Sequence, residues 1–267
     1  MLELSARVVR SITLRVERLH RDDGRHEGDY VAYRGQRLPP KRLRGMMCGD
    51  AFRNENFYFT SAVLEATKFS ARLASQDARI VDIGSGLGRL ATGLIAEGSP
   101  VQYIGIDANE EFVRWCKDHI ESQHPRFRFV HLDMANERYN PAGTITAAQL
   151  RLPVEDASAD VVNLWGVFTN MVPEDVRAYV AEVSRILRPG GQCFLTAFAE
   201  DDVPDVTINP SNYVPYETDT PLTAVRFSKK WLFGTFREHG LEVEEFRLHG
   251  SMFPKQSEIY LVKAQGS

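Results

Sequence analysis

The sequence predicts an α/β fold, a largely parallel sheet with helices on both faces, preceded by a small β appendage. Three observations carry this. From residue 78 onward, short apolar segments alternate with helical ones, which is the pattern of strands buried on both sides. A glycine-rich turn, "GSGLG" at 84–88, stands directly behind the first of these segments. Towards the carboxyl end, two strand-like segments follow each other through a connection too short for a parallel crossover, so they are antiparallel.

The elements follow in order. Residues 1–50 are read as an N-terminal appendage, a β-hairpin of strands 11–19 and 29–38 around "HRDDGRHEG". "LPPKRLRG" (38–45) then breaks the chain, because paired prolines cannot continue a ladder. Residues 51–267 form the main domain. Its first helix is expected over 52–74, where apolar groups recur every three to four residues. Strands are expected at 78–84, 101–107, 127–133 and 156–168, with helices at 87–97 and 109–123 between them. A helix over 173–187 opens with Pro173 and two acids, residues suited to a first turn. "PGG" (189–191) ends it, and "QCFLTAFAE" (192–200) is the fifth strand. A helix at 228–240 and the antiparallel strands 241–250 and 257–264 complete the domain.

Bulk properties narrow the function. The chain has 267 residues, 43% apolar and 25% charged, as ordinary globular domains do. No apolar run approaches the roughly 20 residues of a membrane span, and the mixed-charge N-terminus lacks a signal-peptide core. Cys48, Cys116 and Cys193 have neither metal nor disulfide spacing, so the cytoplasm is the expected compartment and no metal is predicted. Residues 1–53 carry a balance of +5 against −9 for the remainder. That asymmetry leaves open a polyanionic partner for the N-terminal segment.

The spacing within "VDIGSGLGRL" discriminates among ligands. In a parallel sheet a ligand lies beyond the carboxyl ends of the strands, where glycines let backbone N–H groups approach it. A dinucleotide loop needs glycine at 89, where Arg89 stands, and a phosphate-binding loop needs Gly-Lys-Ser/Thr, which is absent. Asp107 ends the second strand nineteen residues past Gly88, where a carboxylate can accept two ribose hydroxyls.

These residues resemble the class I S-adenosylmethionine-dependent methyltransferases. "VDIGSGLG" is similar to their first motif, "YIGID" to the second, and "FVHLDM" to the third. "LPVEDASADVVNLWGVF" and "RILRPGGQCFLTAF" resemble the two that follow, so five motifs stand in order over 78–198. The resemblance implies a Rossmann-like seven-stranded sheet of order 3-2-1-4-5-7-6 with the last strand antiparallel. It implies S-adenosyl-L-methionine as cofactor and S-adenosyl-L-homocysteine as product. Asp82, Gly84, Ser85, Gly86, Gly88, Asp107, Ala108, Asp133, Met134 and Trp165 would then surround the cofactor. Asp133 would meet the adenine amino group, the Met134 backbone the ring edge, and Trp165 would be a pocket wall or core. His131 reads as a packed histidine inside its strand.

A sulfonium methyl is already electrophilic, so the protein must mainly align the acceptor and exclude water. A hydroxyl acceptor also needs its proton removed. Where relatives carry a histidine this chain has Asn170, a poor base, and Glu200 and Asp201 are alternatives on position alone. Residues 135–151 and 201–227 exceed the minimal fold and are expected to be irregular loops that cover the acceptor. The reading is methyl transfer to a hydroxyl of a polar small-molecule or glycan acceptor, with no membrane partner. RNA or protein methylation through the basic N-terminus is the first alternative, and a non-catalytic interaction protein of the same fold the second. Nucleic acid is disfavoured because "NLWG" replaces the [DN]-PP-[YFW] signature. The N-terminal hairpin offers an edge for a homodimer.

Overall fold

The computed structural model describes residues 25–27, 29–73, 75, 77–214, 221–253 and 255–265. The strand expected at 11–19 lies outside them. The segment 29–38 is not one strand but two, β2 (Tyr30–Tyr33) and β3 (Gln36–Leu38), which join β1 (Arg25–Glu27) in a three-stranded antiparallel sheet. Arg34 and Gly35 both take positive φ, 47° and 78°. That is the geometry of a two-residue hairpin turn, and arginine is an uncommon first residue for it. The proline pair also does not end structure here. It opens helix α1 (Lys41–Cys48), with Pro40 as its cap residue, because proline lacks only the N–H that a first turn leaves unused.

A 3-10 turn (Asp50–Arg53) leads into α2 (Glu55–Ser70), which starts three residues later than expected because the Asn54 side chain accepts from Phe57 N at 2.9 Å and caps it. The main sheet then alternates as predicted: β4 (Arg79–Ile83), α3 (Arg89–Ala96), β5 (Gln102–Asp107), α4 (Glu110–Cys116), β6 (Phe127–His131) and β7 (Ala159–Leu164). Then come α5 (Pro173–Ile186), β8 (Leu187–Glu200), β9 (Val206–Ile208), β10 (Val225–Ser228), α6 (Lys229–Glu238), β11 (Leu241–Arg247) and β12 (Ser257–Lys263). The order β11-β12-β8-β7-β4-β5-β6, with β12 antiparallel to both neighbours, is the predicted seven-stranded arrangement. The 201–227 insertion is more regular than expected. β10 runs parallel to the end of β8 and β9 pairs with β10, extending the sheet beyond the ligand edge.

Alternation along the strands splits the core in two. Val81, Ile83, Val162 and Leu164 pack beneath α5 and α6, while Ile80, Tyr103, Phe129 and Phe194 pack beneath α2, α3 and α4. Helix α3 lies against α2 so closely that a Cβ on Gly93 would strike the Ala62 carbonyl. This close crossing fixes the first residue of α3 relative to the middle of α2, which matters at the site.

Candidate functional site

The glycine loop begins where β4 ends. Gly84 and Ser85 N–H donate to the Ile106 carbonyl at 2.8 and 3.1 Å, which pins the loop to the tip of β5. Gly84 and Gly86 have φ of 71° and 53°, values that cost a side-chain-bearing residue roughly 1–2 kcal/mol. Space is also denied to them: a Cβ on Gly84 would lie 2.5 Å from Val167, and one on Gly86 would overlap the Met47 sulfur. Ser85 turns its hydroxyl inward, towards Gly105 of β5, so it presents only backbone outward.

Asp107 is half-buried, and its carboxylate closes the loop from the side. Oδ2 accepts from Gly86 N at 2.7 Å and Oδ1 from Asn109 N at 2.8 Å. Burial raises its pKa, against those two backbone N–H groups, which lower it. Beyond it a small pocket of about 80 Å³ is lined by Ala108, Leu132, Met134 and Val167 together with Asp107 and Gly84. The Asp133 carboxylate is not in this pocket. It accepts from Thr144 N and Oγ1 at 3.1 and 2.6 Å and from Asn140 Nδ2 at 2.9 Å, so it holds the 135–151 insertion in place. His131 packs at the strand end with Nε2 3.0 Å from the Ala108 carbonyl.

On the other side of the loop lies a cavity of about 640 Å³. Gly84, Ser85, Gly86, Asp82, Asp107 and Trp165, six of the ten residues predicted to surround the cofactor, line it. Gly88 does not; it faces Ile120 and Phe129 behind the loop. Asp82 is buried, with Tyr103 OH donating to Oδ2 at 2.5 Å and Asn163 Nδ2 to Oδ1 at 2.7 Å. Burial pushes its carboxyl up to about 7, with the Glu65 charge adding to the rise. Arg89, the residue that breaks the dinucleotide pattern, is buried and forms an ion pair with Glu65 at 2.6 Å, its guanidinium 4.6 Å over the Trp165 ring. Glu65 was not anticipated. The signal was present, since an acid stands on the buried stripe Tyr58, Ala62, Ala66 and Phe69 of α2.

The roof of the cavity comes from the N-terminal unit. Met47 of α1 lays its thioether on the loop, with Leu87 N–H donating to Sδ at 3.1 Å. α1 is held by Arg44, which is fully buried, donates to the carbonyls of Pro39, Phe52 and Arg53 at 2.7, 3.0 and 2.6 Å, and pairs with the buried Glu55. Arg42 bridges the roof to α4 through Glu111 at 2.6 Å. None of these contacts follows from the proline break expected at 38–45.

The two catalytic candidates part company. Asn170 lines the cavity and is buried, but its amide is committed: Nδ2 donates to the carbonyls of Leu222 and Thr223, both at 2.8 Å, and Oδ1 accepts from Thr169 Oγ1 at 2.9 Å. Asn136 Nδ2 donates to the Asn170 carbonyl at 3.3 Å. Asn170 therefore ties the 135–151 and 201–227 insertions to the end of β7. Glu200 is not brought to the cavity lining; it accepts from Tyr213 OH at 2.7 Å and pairs with Arg226 at 3.4 Å. Asp201 pairs with Lys229 at 2.9 Å. Among the described residues, no three His, Cys, Asp or Glu side chains cluster as metal ligands, and no helix is long and apolar enough to cross a membrane.

Comparison with known proteins agrees with this geometry. A family profile for the methyltransferase domain matches residues 80–191. A phthiotriol/phenolphthiotriol dimycocerosates methyltransferase of Mycobacterium tuberculosis is 28% identical over 149 residues, 55% of this chain and 44% of that protein. The chain thus spans less than half the length of the curated relatives it matches. Among solved structures, an S-adenosylmethionine-dependent methyltransferase from Methanosarcina mazei superposes with a TM-score of 0.55 at 20% identity, covering 74% of this chain and 98% of that one. A glycopeptide N-methyltransferase complexed with S-adenosylmethionine does so at 0.53 and 14%, covering 75% and 93%. Residues 80–191 are thus similar to a methyltransferase domain, and the chain shares the fold of S-adenosylmethionine-dependent methyltransferases.

Proposed function

We propose that this protein transfers a methyl group from S-adenosylmethionine to a hydroxyl of a polar small-molecule or glycan acceptor. The observation that carries the reading is the cavity of about 640 Å³, which runs from the bare glycine loop to both insertions. Such a continuous space suits two ligands meeting at one point.

The residues fit the donor. A loop whose neighbours leave no room for a Cβ at Gly84 or Gly86 lets the backbone itself lie against a ligand, its N–H groups being held within the chain. Asp107, with one N–H on each carboxylate oxygen, keeps a lone pair on each for the ribose hydroxyls. The pocket beside Ala108 and Met134 suits the adenine, with the Asp133 carboxylate acting only through the loop it holds. When bound, the cofactor supplies an electrophilic methyl on a sulfonium. The chain's part is to hold the acceptor in line and keep water away, with Trp165 as a wall and Asn170 joining the two insertions over the acceptor end.

Three of the described basic residues of the N-terminal unit favour a small acceptor over a nucleic acid. Arg42, Arg44 and Arg53 are paired with Glu111, Glu55 and Asp50 within the chain, so they are not a free polycationic face. Calorimetry with S-adenosylhomocysteine tests the reading. Micromolar binding to the wild type is expected, together with a loss of about tenfold or more in Asp107→Ala, since a hydrogen bond to a charged group contributes about 1.5–3 kcal/mol. No binding at millimolar ligand would instead favour a non-catalytic interaction protein.

A further inference from the structure

The small pocket beside Asp107 has helix α5 as one wall. Asp175 and Tyr179 stand four residues apart in its first turns, and residues so spaced share a helix face. Both line the pocket, together with Ala108, Leu132 and Met134.

The groups expected at the adenine edge are spent elsewhere. The Asp133 carboxylate is held by Thr144 and Asn140 of the insertion. Met134 N–H donates to the Leu132 carbonyl at 2.6 Å, and Ala135 N–H to the Ile145 carbonyl at 2.8 Å. Asn136 also lines the pocket, but its Oδ1 accepts from Arg138 N and Tyr139 N, both at 3.0 Å, and its Nδ2 donates to the Asn170 carbonyl. A base in this pocket therefore finds its hydrogen-bonding partners on α5.

Asp175 is half-buried, and its carboxylate accepts no hydrogen bond and forms no ion pair among the described residues. It does not cap its own helix, since α5 has no side-chain cap. Burial, with the Glu174 charge adding to it, pushes the carboxyl up to about 6. Tyr179 is buried, and that burial, then the Asp175 and Asp107 charges, raises its hydroxyl above the ordinary value, so it stays a protonated donor. An acceptor and a donor on one face complement a ring edge that carries an amino group beside a ring nitrogen. Adenine has such an edge, whereas a 6-oxo purine would turn an oxygen towards the carboxylate.

We propose that Asp175 selects the adenine ring of the methyl donor, its carboxylate accepting from the 6-amino group while the Tyr179 hydroxyl donates to a neighbouring ring nitrogen. This rests on the methyl-transfer reading above. Asp133 then holds the insertion and reads no part of the base. Glu174 supplies a comparison within the same turn. It is as well placed for the helix dipole, but it is exposed and does not line the pocket.

The test is calorimetry at pH 8 on the full chain with S-adenosylhomocysteine and with S-inosylhomocysteine, whose purine carries a 6-oxo group. The wild type is expected to prefer the adenine ligand at least tenfold, the effect of one hydrogen bond to a charged group. Asp175→Asn keeps the size and offers an amide N–H to the oxo group. It should narrow that preference at least tenfold, weakening S-adenosylhomocysteine and strengthening the inosine ligand. Asp175→Ala should weaken S-adenosylhomocysteine with no gain for the inosine ligand. Glu174→Gln and Asp133→Asn should leave the ratio of the two affinities as it is. A ratio retained in the folded Asp175 variants, an equal loss of both ligands, or a ratio that collapses in Glu174→Gln or Asp133→Asn would each overturn the proposal. If the wild type binds the two ligands equally, only this proposal fails; if it binds neither, the methyl-transfer reading fails first.

Discussion

The two sides of the cavity are built by different means. The floor, from Ile83 to Asp107, is backbone: a loop pinned by N–H groups on the Ile106 carbonyl and closed by the Asp107 carboxylate. The roof and the far wall are side chains delivered from distant segments: Met47 and Arg44 from the N-terminal unit, Asn170 from the end of β7, and Gln256 before β12. A surface made of backbone needs particular residues at particular spacings, so it leaves a motif. A surface made of side chains needs only that each one arrives, and many sequences satisfy that. Four perturbations probe this contrast.

The largest effect is expected in the roof. Arg44→Met removes the partner of Glu55, which is itself buried. Breaking a buried ion pair from one side costs about 3–5 kcal/mol because the remaining charge is stranded. Urea unfolding should register that loss in full if α1 and the hairpin unfold with the main sheet. A loss below about 1 kcal/mol would mean that the roof is a separate, dispensable layer.

Beneath the floor, Asp82 sets a pH dependence. Its folded pKa is raised to about 7 by burial, from an ordinary 3.8. The stability tied to its protonated form is complete below about pH 4 and is lost as pH rises through 7, because the folded state must then hold a buried charge. Three units correspond to at most about 4 kcal/mol. Asp82→Asn should therefore gain on the wild type between pH 4 and 8 in thermal unfolding. Parallel stability curves would mean that the carboxyl titrates as if it were in solvent.

Floor and roof meet at Gly86. Gly86→Ala places a methyl at φ 53° against the Met47 sulfur. Strain of roughly 1–2 kcal/mol should weaken S-adenosylhomocysteine binding about tenfold or more. Combining it with Met47→Ala should return the part due to overlap and leave the part due to φ. A double variant no better than Gly86→Ala would show that the two sides do not touch energetically.

The same contrast explains what could be read in advance. The alternation of strands and helices and Asp107 at the end of the second strand were legible, because periodicity and spacing encode backbone geometry, while the strand order came from the family resemblance and the Gly86 N contact of Asp107 was not expected. Three features were not. The hairpin turn uses Arg34-Gly35, an uncommon pair for positive φ at both positions. The proline pair admits either a break or a helix start, and only the buried Arg44 contacts decide for the helix. β9 and β10 form because the end of β8 offers an edge to them, which is a tertiary circumstance. Asp133 shows the limit from the other direction: the motif is present, yet Thr144 and Asn140 of the adjoining insertion occupy its carboxylate. Glu65 marks an intermediate case, an acid on a buried helical stripe whose partner Arg89 became evident only when α2 crossed α3.

The smallest expected effect is the most specific to the roof. Asn170→Ala removes the two donations that hold the Leu222 and Thr223 carbonyls and frees the 201–227 insertion from β7. Each lost hydrogen bond costs about 1 kcal/mol net, too little to unfold the domain but enough to loosen the cover over the acceptor. Methyl transfer, measured with the acceptor saturating, should fall about tenfold, while S-adenosylhomocysteine affinity stays within about twofold, because no donor-side group touches this amide. Asn170→Asp keeps the size but reverses the polarity towards both carbonyls, and should be at least as damaging. If Asn170→Asp were instead more active and gained a pH dependence, the residue would be acting as a base towards the acceptor, and its role as the tie between the two insertions would have to be abandoned.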